Sequence, residues 1–97
     1  MTANFLTPAS IELADAIEYY EDQRPGLGYE FLSEVEAAIN KIIQFPDAWT
    51  PLSKRTRRIL LKRFPFGLLY HIQEDKAVVA AVMDLRRNPT NWEDLLK

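Results

Sequence analysis

The spacing of apolar residues changes once along this chain, from a helical period in its first half to strand alternation in its second. Two early stripes recur every three or four residues, which predicts two amphipathic helices. Residues 24–28, Arg-Pro-Gly-Leu-Gly, separate the stripes and suit a tight connection, so we expect a helical hairpin. Phe45-Pro46 should end the second helix. The stripes consist of Leu13, Ala14, Ile17 and Tyr20, and then of Phe31, Val35, Ala38, Ile39 and Ile42.

The second half of the chain predicts a small sheet. Residues 57–64 are expected to form its first long strand, and residues 68–73 and 77–83 two more, with a turn or bulge at 65–67 and a hairpin turn at 74–76. The last strand is nearly all apolar, which favours a central position. Residues 4–6 suit a short strand, and Thr7 suits a helix N-cap before Pro8. The predicted fold class is α+β, with the N-terminal helical hairpin packed on a small antiparallel sheet.

The length of the chain limits it to one hydrophobic core. With 97 residues, of which 47% are hydrophobic, we expect a single domain spanning residues 1–97. The absence of cysteine excludes disulfides and thiolate chemistry, and the lone His71 argues against a metal site, so we expect no metal and no cofactor. The sequence has no signal peptide pattern and no long apolar run, which predicts a cytoplasmic protein with no membrane contact.

Charge is distributed unevenly, although the formal net charge is only −2. Residues 12–36 contain eight acidic residues and one base, whereas residues 54–63 contain six bases and no acid. Such segregation gives one negative and one positive region. The basic block is interpreted in two ways: it binds a partner, or it pairs with the acidic helices and protects a sheet edge.

Several short motifs recur in an order that is typical of one family. The motifs are Tyr19-Tyr20-Glu21, Gln23, Pro25-Gly26-Leu27-Gly28, Phe31, Val35, Arg57-Arg58, Arg63-Phe64-Pro65-Phe66, Tyr70, Ala81-Val82, Arg86-Arg87-Asn88-Pro89 and Trp92. With these motifs, the chain resembles the RelE/ParE family of toxins from bacterial type II toxin–antitoxin systems over almost its whole length. The family fold, a helical hairpin against a small sheet, agrees with the periodicity.

The resemblance implies one of two activities, since one branch of the family cleaves mRNA on the ribosome and the other poisons DNA gyrase. Family nucleases combine basic sheet residues with a His or Tyr near the C-terminus. Here Met83-Asp84-Leu85 stands where many relatives have the His, and Asn91 where a Tyr often precedes the Trp. We therefore expect a gyrase-directed toxin. The alternatives are a ribosome-dependent endoribonuclease, with Arg63, His71 and Arg86 as its candidate catalytic residues, and a non-toxic antitoxin-binding module.

The resemblance also implies a cognate antitoxin and a toxin–antitoxin hetero-oligomer. Antitoxins of this family wrap the toxin with a C-terminal segment, for which exposed parts of Leu60, Phe66 and Leu69 are candidate contacts, with a place in the core as the other interpretation. Asp84 is expected to pair with the neighbouring arginines rather than to accept a proton. The candidate target-binding residues are Lys54, Arg57, Arg58, Lys62, Arg63, Arg86, Arg87 and Trp92.

Overall fold

A computed structural model describes residues 1–87 of the chain. Within them, two helices lie on one face of a five-stranded sheet with the strand order β1-β5-β4-β3-β2. The predicted α+β fold, a helical hairpin against a sheet, is confirmed. No helix in this part of the chain is long and apolar enough to cross a membrane. The elements are β1 (Thr2–Phe5), α1 (Thr7–Gln23), α2 (Leu27–Gln44), β2 (Thr50–Pro51), β3 (Arg57–Leu60), β4 (Phe66–Gln73) and β5 (Lys76–Asp84).

The sheet is mixed, whereas the sequence predicted antiparallel strands. β2, β3, β4 and β5 pair antiparallel, but β1 runs parallel to β5, with Phe5 opposite Val79. The predicted inner position of the last strand is correct, because β5 lies between β1 and β4. Parallel strands need a long crossover connection, and here both helices and the strands β2, β3 and β4 lie between β1 and β5.

The helical hairpin is held closely at its connection. An added Cβ on Gly28 would lie 2.6 Å from the carbonyl oxygen of Ile17, so only glycine permits this approach of α2 to α1. The carboxylate of Glu21 accepts hydrogen bonds from the backbone N–H groups of Gly26 and Gly28 at 2.9 and 3.0 Å. These N–H groups begin α2, where an anionic acceptor is favoured. The motif Tyr19-Tyr20-Glu21 and the glycines of residues 25–28 therefore form one structural unit.

The core between the helices and the sheet is rich in aromatic rings. Tyr20 of α1 and Phe31 of α2 contact each other, Phe64 in the connection before β4, and Phe66 of β4, with ring centroids 4.8 to 6.0 Å apart. Such edge and stacked contacts add to the apolar area that the rings bury. This aromatic cluster closes the end of the sheet at which β4 begins and β5 ends.

Several element boundaries differ from those predicted. β4 begins at Phe66, where a turn or bulge was expected, and β5 covers Lys76–Asp84. β3 ends at Leu60 and not at Phe64, because Glu34 of α2 accepts the backbone N–H groups of Lys62 and Arg63 and draws the chain out of the strand. β1 covers Thr2–Phe5 rather than residues 4–6. Helix α1 begins at Thr7, with Leu6 as the N-cap. The predicted end of α2 before Pro46 and the hairpin turn at Glu74 and Asp75 are confirmed.

Candidate functional site

The basic block does not form one continuous patch. Strand β3 carries its two halves to opposite ends of the sheet, with Lys54 and Arg57 at the start of the strand and Lys62 and Arg63 beyond its end. Arg86, at the end of β5, lies at the second end, because Phe66 of β4 pairs with Asp84 of β5. The candidate residues therefore fall into two groups. We call the end with Lys62, Arg63 and Arg86 the aromatic end, and the end with Lys54 and Arg57 the loop end.

At the aromatic end, Arg63 is bound to helix α2. Its Nη2 donates to Oε1 of Glu30 at 2.6 Å, and its guanidinium lies 5.5 Å from the centre of the Phe64 ring. Hydrogen bonds from Arg63 and then from Arg24 hold the pKa of Glu30 below its ordinary value. Arg63 therefore pairs with an acidic helix, as one of the two interpretations of the basic block expects.

Arg86 is the most firmly positioned cation of this end. Its Nε and Nη2 donate to the two oxygens of Asp84, each at 2.9 Å, and its guanidinium lies 5.3 Å from the ring centre of Tyr19 and 5.9 Å from that of Phe66. The hydrogen bond from Arg86 lowers the pKa of Asp84, and the same pair raises the pKa of Arg86. Asp84 is thus an ion-pair partner, as the sequence predicted.

A pocket of about 350 Å³ opens beside this pair. Arg87 lies at its rim with its side chain 81% exposed, and its Nε is 3.8 Å from Oδ2 of Asp84. Acidic residues of α1, Glu12 and Asp15, form the opposite wall. Glu12 accepts the backbone N–H of Val82 at 3.0 Å. Trp92, the remaining candidate of this group, lies outside the described residues.

At the loop end, a cleft of about 240 Å³ lies between the start of β3 and the end of β4. Arg57 forms part of its wall and donates from Nη1 to the carbonyl oxygen of Trp49 at 2.8 Å. The indole Nε1 of Trp49 donates in turn to the carbonyl oxygen of Lys41 at 3.3 Å, so Trp49 packs against the end of α2. The cleft is lined by Asp47, Lys54, Arg55, Arg57, Tyr70, His71 and Ile72.

The three candidate catalytic residues do not meet. His71 lies at the loop end, with its Nε2 3.3 Å from Oε1 of Gln73. Arg63 and Arg86 lie near Phe64 and Phe66. Five residues of β4 separate Phe66 from His71, a distance of about 16 Å at the rise of a strand.

The candidate antitoxin contacts are divided between surface and core. Leu60 is 50% exposed, whereas Phe66 is 5% and Leu69 1% exposed. The exposed parts expected for the last two residues are therefore absent, because both pack within the sheet's two apolar clusters. Leu60 borders a groove of about 230 Å³ between α2 and residues 59–63. Arg58, on the same strand, is half-buried, and its Nε is buried with no hydrogen-bond partner among the described residues.

Three residues of these sites carried no specific signal in the sequence. Arg55 lines the cleft but was only one base among six, and Glu34 was only one acid among eight. Ala37 lines the groove beside Leu60. Each depends on contacts between distant segments, so that neither periodicity nor local charge indicates it.

Comparison with known proteins identifies relatives of one kind. Residues 4–89 match the family model described as ParE toxin of type II toxin-antitoxin system, parDE. The chain is 30% identical over 83 residues to Toxin ParE2 of Mycobacterium tuberculosis in two strains, covering 84% of this chain and 79% of the relative. A solved structure titled Chromosomal ParDE TA system from P. aeruginosa superposes with a TM-score of 0.75 at 12% identity, over 88% of this chain and 96% of that one.

Proposed function

Because this chain belongs to the ParE toxin family of type II toxin–antitoxin systems, we propose that it stops growth by binding DNA gyrase and that a cognate antitoxin neutralises it. Family membership supports a toxin and its antitoxin partner. The choice of gyrase rests on one observation: His71 lies in the cleft of the loop end, whereas Arg63 and Arg86 lie beside Phe64 and Phe66 at the aromatic end. A toxin that acts by binding does not need these three side chains to lie together.

The need for proton transfer argues against a nuclease function of this chain. Cleavage of RNA without a metal needs one group that takes a proton and another that gives one. In the cleft at the loop end, His71 is one such group, while Tyr70 donates its hydroxyl to the carbonyl oxygen of Pro46 at 2.6 Å. Burial raises the pKa of Tyr70, so it stays protonated and engaged. Tyr70 is therefore not free to serve as the second group, which favours binding over cutting.

Ribosome-dependent cleavage of mRNA is the second candidate function. The observation in its favour is that His71 shares the cleft with three cations, Lys54, Arg55 and Arg57. Cations beside a histidine stabilise charge on a phosphate in the transition state. The two candidates differ in what the replacement of His71 does, since only cleavage needs its imidazole.

The target is identified by two assays on the same purified chain. We expect inhibition of supercoiling when the chain is added to gyrase and relaxed plasmid, and intact mRNA when it is added to translating ribosomes. The variant His71→Gln should inhibit supercoiling as well as the parent chain. Cleaved mRNA with unaffected supercoiling, lost in His71→Gln, would establish the nuclease instead. Activity in neither assay, with no growth arrest in cells, would establish a non-toxic binding module.

For the antitoxin, we propose the groove beside Leu60 as the contact. Strand β2 has only two residues, and it pairs with Arg57 and Arg58, so the outer side of β3 at Leu60 extends past it. Leu61 donates its N–H to Phe66 of β4, so by strand alternation the N–H of Leu60 points away from β4. An exposed strand edge beside an apolar groove suits an extended segment that adds a strand. Lys41 and Lys62 border the groove and suit acidic residues in that segment.

The antitoxin proposal is tested with the neighbouring gene. Co-expression of a short DNA-binding protein encoded beside this chain should restore growth, and the two proteins should copurify. Growth arrest that no neighbouring product relieves would contradict the proposal.

A further inference from the structure

The cations of the loop end differ from the arginines of the aromatic end, Arg63, Arg86 and Arg87, in their pairing. Within residues 1–87, ion pairs join Arg24 and Arg63 to Glu30, and Arg86 and Arg87 to Asp84. All four lie away from the cleft. Its cations form no ion pair with any residue of the described part of the chain, although the chain as a whole is acidic. Three cations without an ion pair in residues 1–87, Lys54, Arg55 and Arg57, therefore meet in one cleft and are available to an outside anion.

The turn that carries these cations is internally hydrogen-bonded. The hydroxyl of Ser53 accepts the backbone N–H groups of Arg55 and Thr56 at 3.4 and 3.2 Å, and the carbonyl oxygen of Thr56 accepts those of Leu52 and Ser53 at 2.9 and 3.2 Å. Such bonds from a serine side chain to the next residues are typical of a defined turn. Lys54, at its tip, and Arg55 are thus presented from a fixed backbone.

Arg57 is held from the other side of the cleft. Its hydrogen bond to the carbonyl oxygen of Trp49 fixes the guanidinium at the wall of the cleft. Burial raises the pKa of Tyr70, and the positive charge of Arg57 opposes part of that rise. The single carboxylate of the lining, Asp47, leaves the cleft with an excess of two positive charges when His71 is neutral. A positioned arginine with neighbouring point charges suits phosphate oxygens.

We propose that the cations of this cleft, Lys54, Arg55 and Arg57, bind the phosphodiester backbone of DNA. The inference deepens the proposed function and rests on it: the toxin would contact gyrase together with the DNA that gyrase holds. The contact would position the toxin and would not read bases, since phosphate contacts carry no direct sequence information.

The number and arrangement of the charges favour DNA over an acidic protein segment. One carboxylate is satisfied by one arginine fork. Here two cations stand on an exposed turn beside a third on the strand, an arrangement that suits an anion with closely repeated charges. DNA carries one charge per about 1.7 Å of its axis. Ile72, 37% exposed at the same cleft, offers an apolar surface to a sugar.

The test measures binding of a fluorescent DNA duplex of about 20 base pairs by anisotropy over a series of salt concentrations. We expect weak, sequence-independent binding by the purified chain. Lys54→Gln and Arg55→Gln should each weaken it and lower the slope of log affinity against log salt by about 0.9. Arg24→Gln removes the same charge from the interhelical connection, outside the cleft, and should change neither quantity. A polyglutamate peptide serves as the acidic-protein probe and should compete poorly.

Three results would overturn the proposal: no binding of the duplex, an equal loss of affinity in Arg24→Gln, or tighter binding of polyglutamate than of DNA. The last would assign the cleft to an acidic protein segment. A supercoiling assay on the same proteins separates this proposal from the proposed function. If the parent chain leaves gyrase active while the cleft variants lose DNA affinity, the gyrase function fails and the DNA site stands. If the parent chain inhibits gyrase while the cleft variants retain DNA affinity, the DNA site fails and the gyrase function stands.

Discussion

The guanidinium of Arg86 is bound at two points by the carboxylate of Asp84, two residues earlier in the chain. The aromatic faces of Tyr19 and Phe66 lie close to the same guanidinium. A fork bound in this way is preorganised, so a partner that meets Arg86 does not have to immobilise a flexible side chain. Arg86 is therefore the most defined candidate for target recognition at the aromatic end.

Asp84→Asn should lower stability more at neutral than at acid pH. The pKa of Asp84 is lowered in the folded chain, so its contribution is present above the unfolded pKa and is lost as pH falls through the folded one. We expect a loss of about 1 kcal/mol at pH 7, because solvent screens the half-exposed Arg86, and little difference near pH 2. Urea denaturation at several pH values measures this loss in the free energy of unfolding. Asp75→Asn, in the exposed hairpin turn, is the control, and equal effects of both variants would contradict the prediction.

Two buried tyrosines should respond oppositely to loss of the hydroxyl. The Tyr70 hydroxyl donates to Pro46 at 2.6 Å, whereas that of Tyr20 is buried with no partner among the described residues. Tyr70→Phe should cost about 1 to 2 kcal/mol, and Tyr20→Phe should be neutral or stabilising, because a buried unpaired hydroxyl is unfavourable. Thermal and urea denaturation of both variants provide the comparison. A larger loss in Tyr20→Phe than in Tyr70→Phe would show that the assignment of partners is wrong.

Removal of the Glu34 carboxylate should loosen the segment after β3. Glu34→Ala leaves two backbone N–H groups, those of Lys62 and Arg63, without their acceptor. We expect a loss of about 1 to 2 kcal/mol and faster amide hydrogen exchange at both residues. Glu36→Ala, on the exposed face of the same helix, is the matched control. Unchanged exchange at both amides in Glu34→Ala would rule out this role.

Gly28→Ala should force the two helices apart. The new Cβ would lie 2.6 Å from the carbonyl oxygen of Ile17 and 3.0 Å from Cβ of Glu21, and a backbone oxygen cannot move without moving α1. Overpacking of this kind costs about 1 to 3 kcal/mol. Ser33→Ala, at an exposed position of α2, should be neutral or slightly stabilising. A free energy of unfolding equal to that of the parent chain would mean that the hairpin tolerates a wider separation.

Leu60→Glu should weaken antitoxin binding without unfolding the toxin. The side chain is half exposed, so the change costs little stability, while it places a negative charge beside the groove proposed for an acidic segment. We expect at least a tenfold rise in Kd, or about 1.4 kcal/mol. Ile11→Glu, at an exposed apolar position of α1, is the control. Calorimetric titration with the antitoxin tests both, and equal effects would exclude the groove as the contact.

Local patterns predicted those parts of the fold that local forces determine. The helical stripes, the stop before Pro46 and the β4–β5 hairpin follow from side-chain periodicity and turn chemistry between near neighbours. The parallel pairing of β1 with β5 joins segments more than seventy residues apart and has no local signal. β3 is shorter than predicted for the same reason, since the acceptor that ends it belongs to α2.

For the candidate sites, the sequence identified the residue types but not their grouping. Six bases within ten residues appeared as one patch, yet a strand of four residues separates them into two ends with different partners. The order of residues along the chain predicted the pairing of Asp84 with Arg86 and Arg87 correctly. It did not indicate that Arg63 is engaged by Glu30, nor that Phe66 and Leu69 are buried, because both depend on how the helices and the loop pack.

The chain of hydrogen bonds from Lys41 through Trp49 to Arg57 has a practical consequence. Trp49 accepts, at its backbone carbonyl, a hydrogen bond from a cation of the cleft, and the only other tryptophan of the sequence is Trp92. Replacement of Trp92 by phenylalanine therefore leaves Trp49 as the single tryptophan, beside the loop end. Occupancy of the cleft can then be followed by emission spectroscopy on the unlabelled protein, separately from events at the aromatic end.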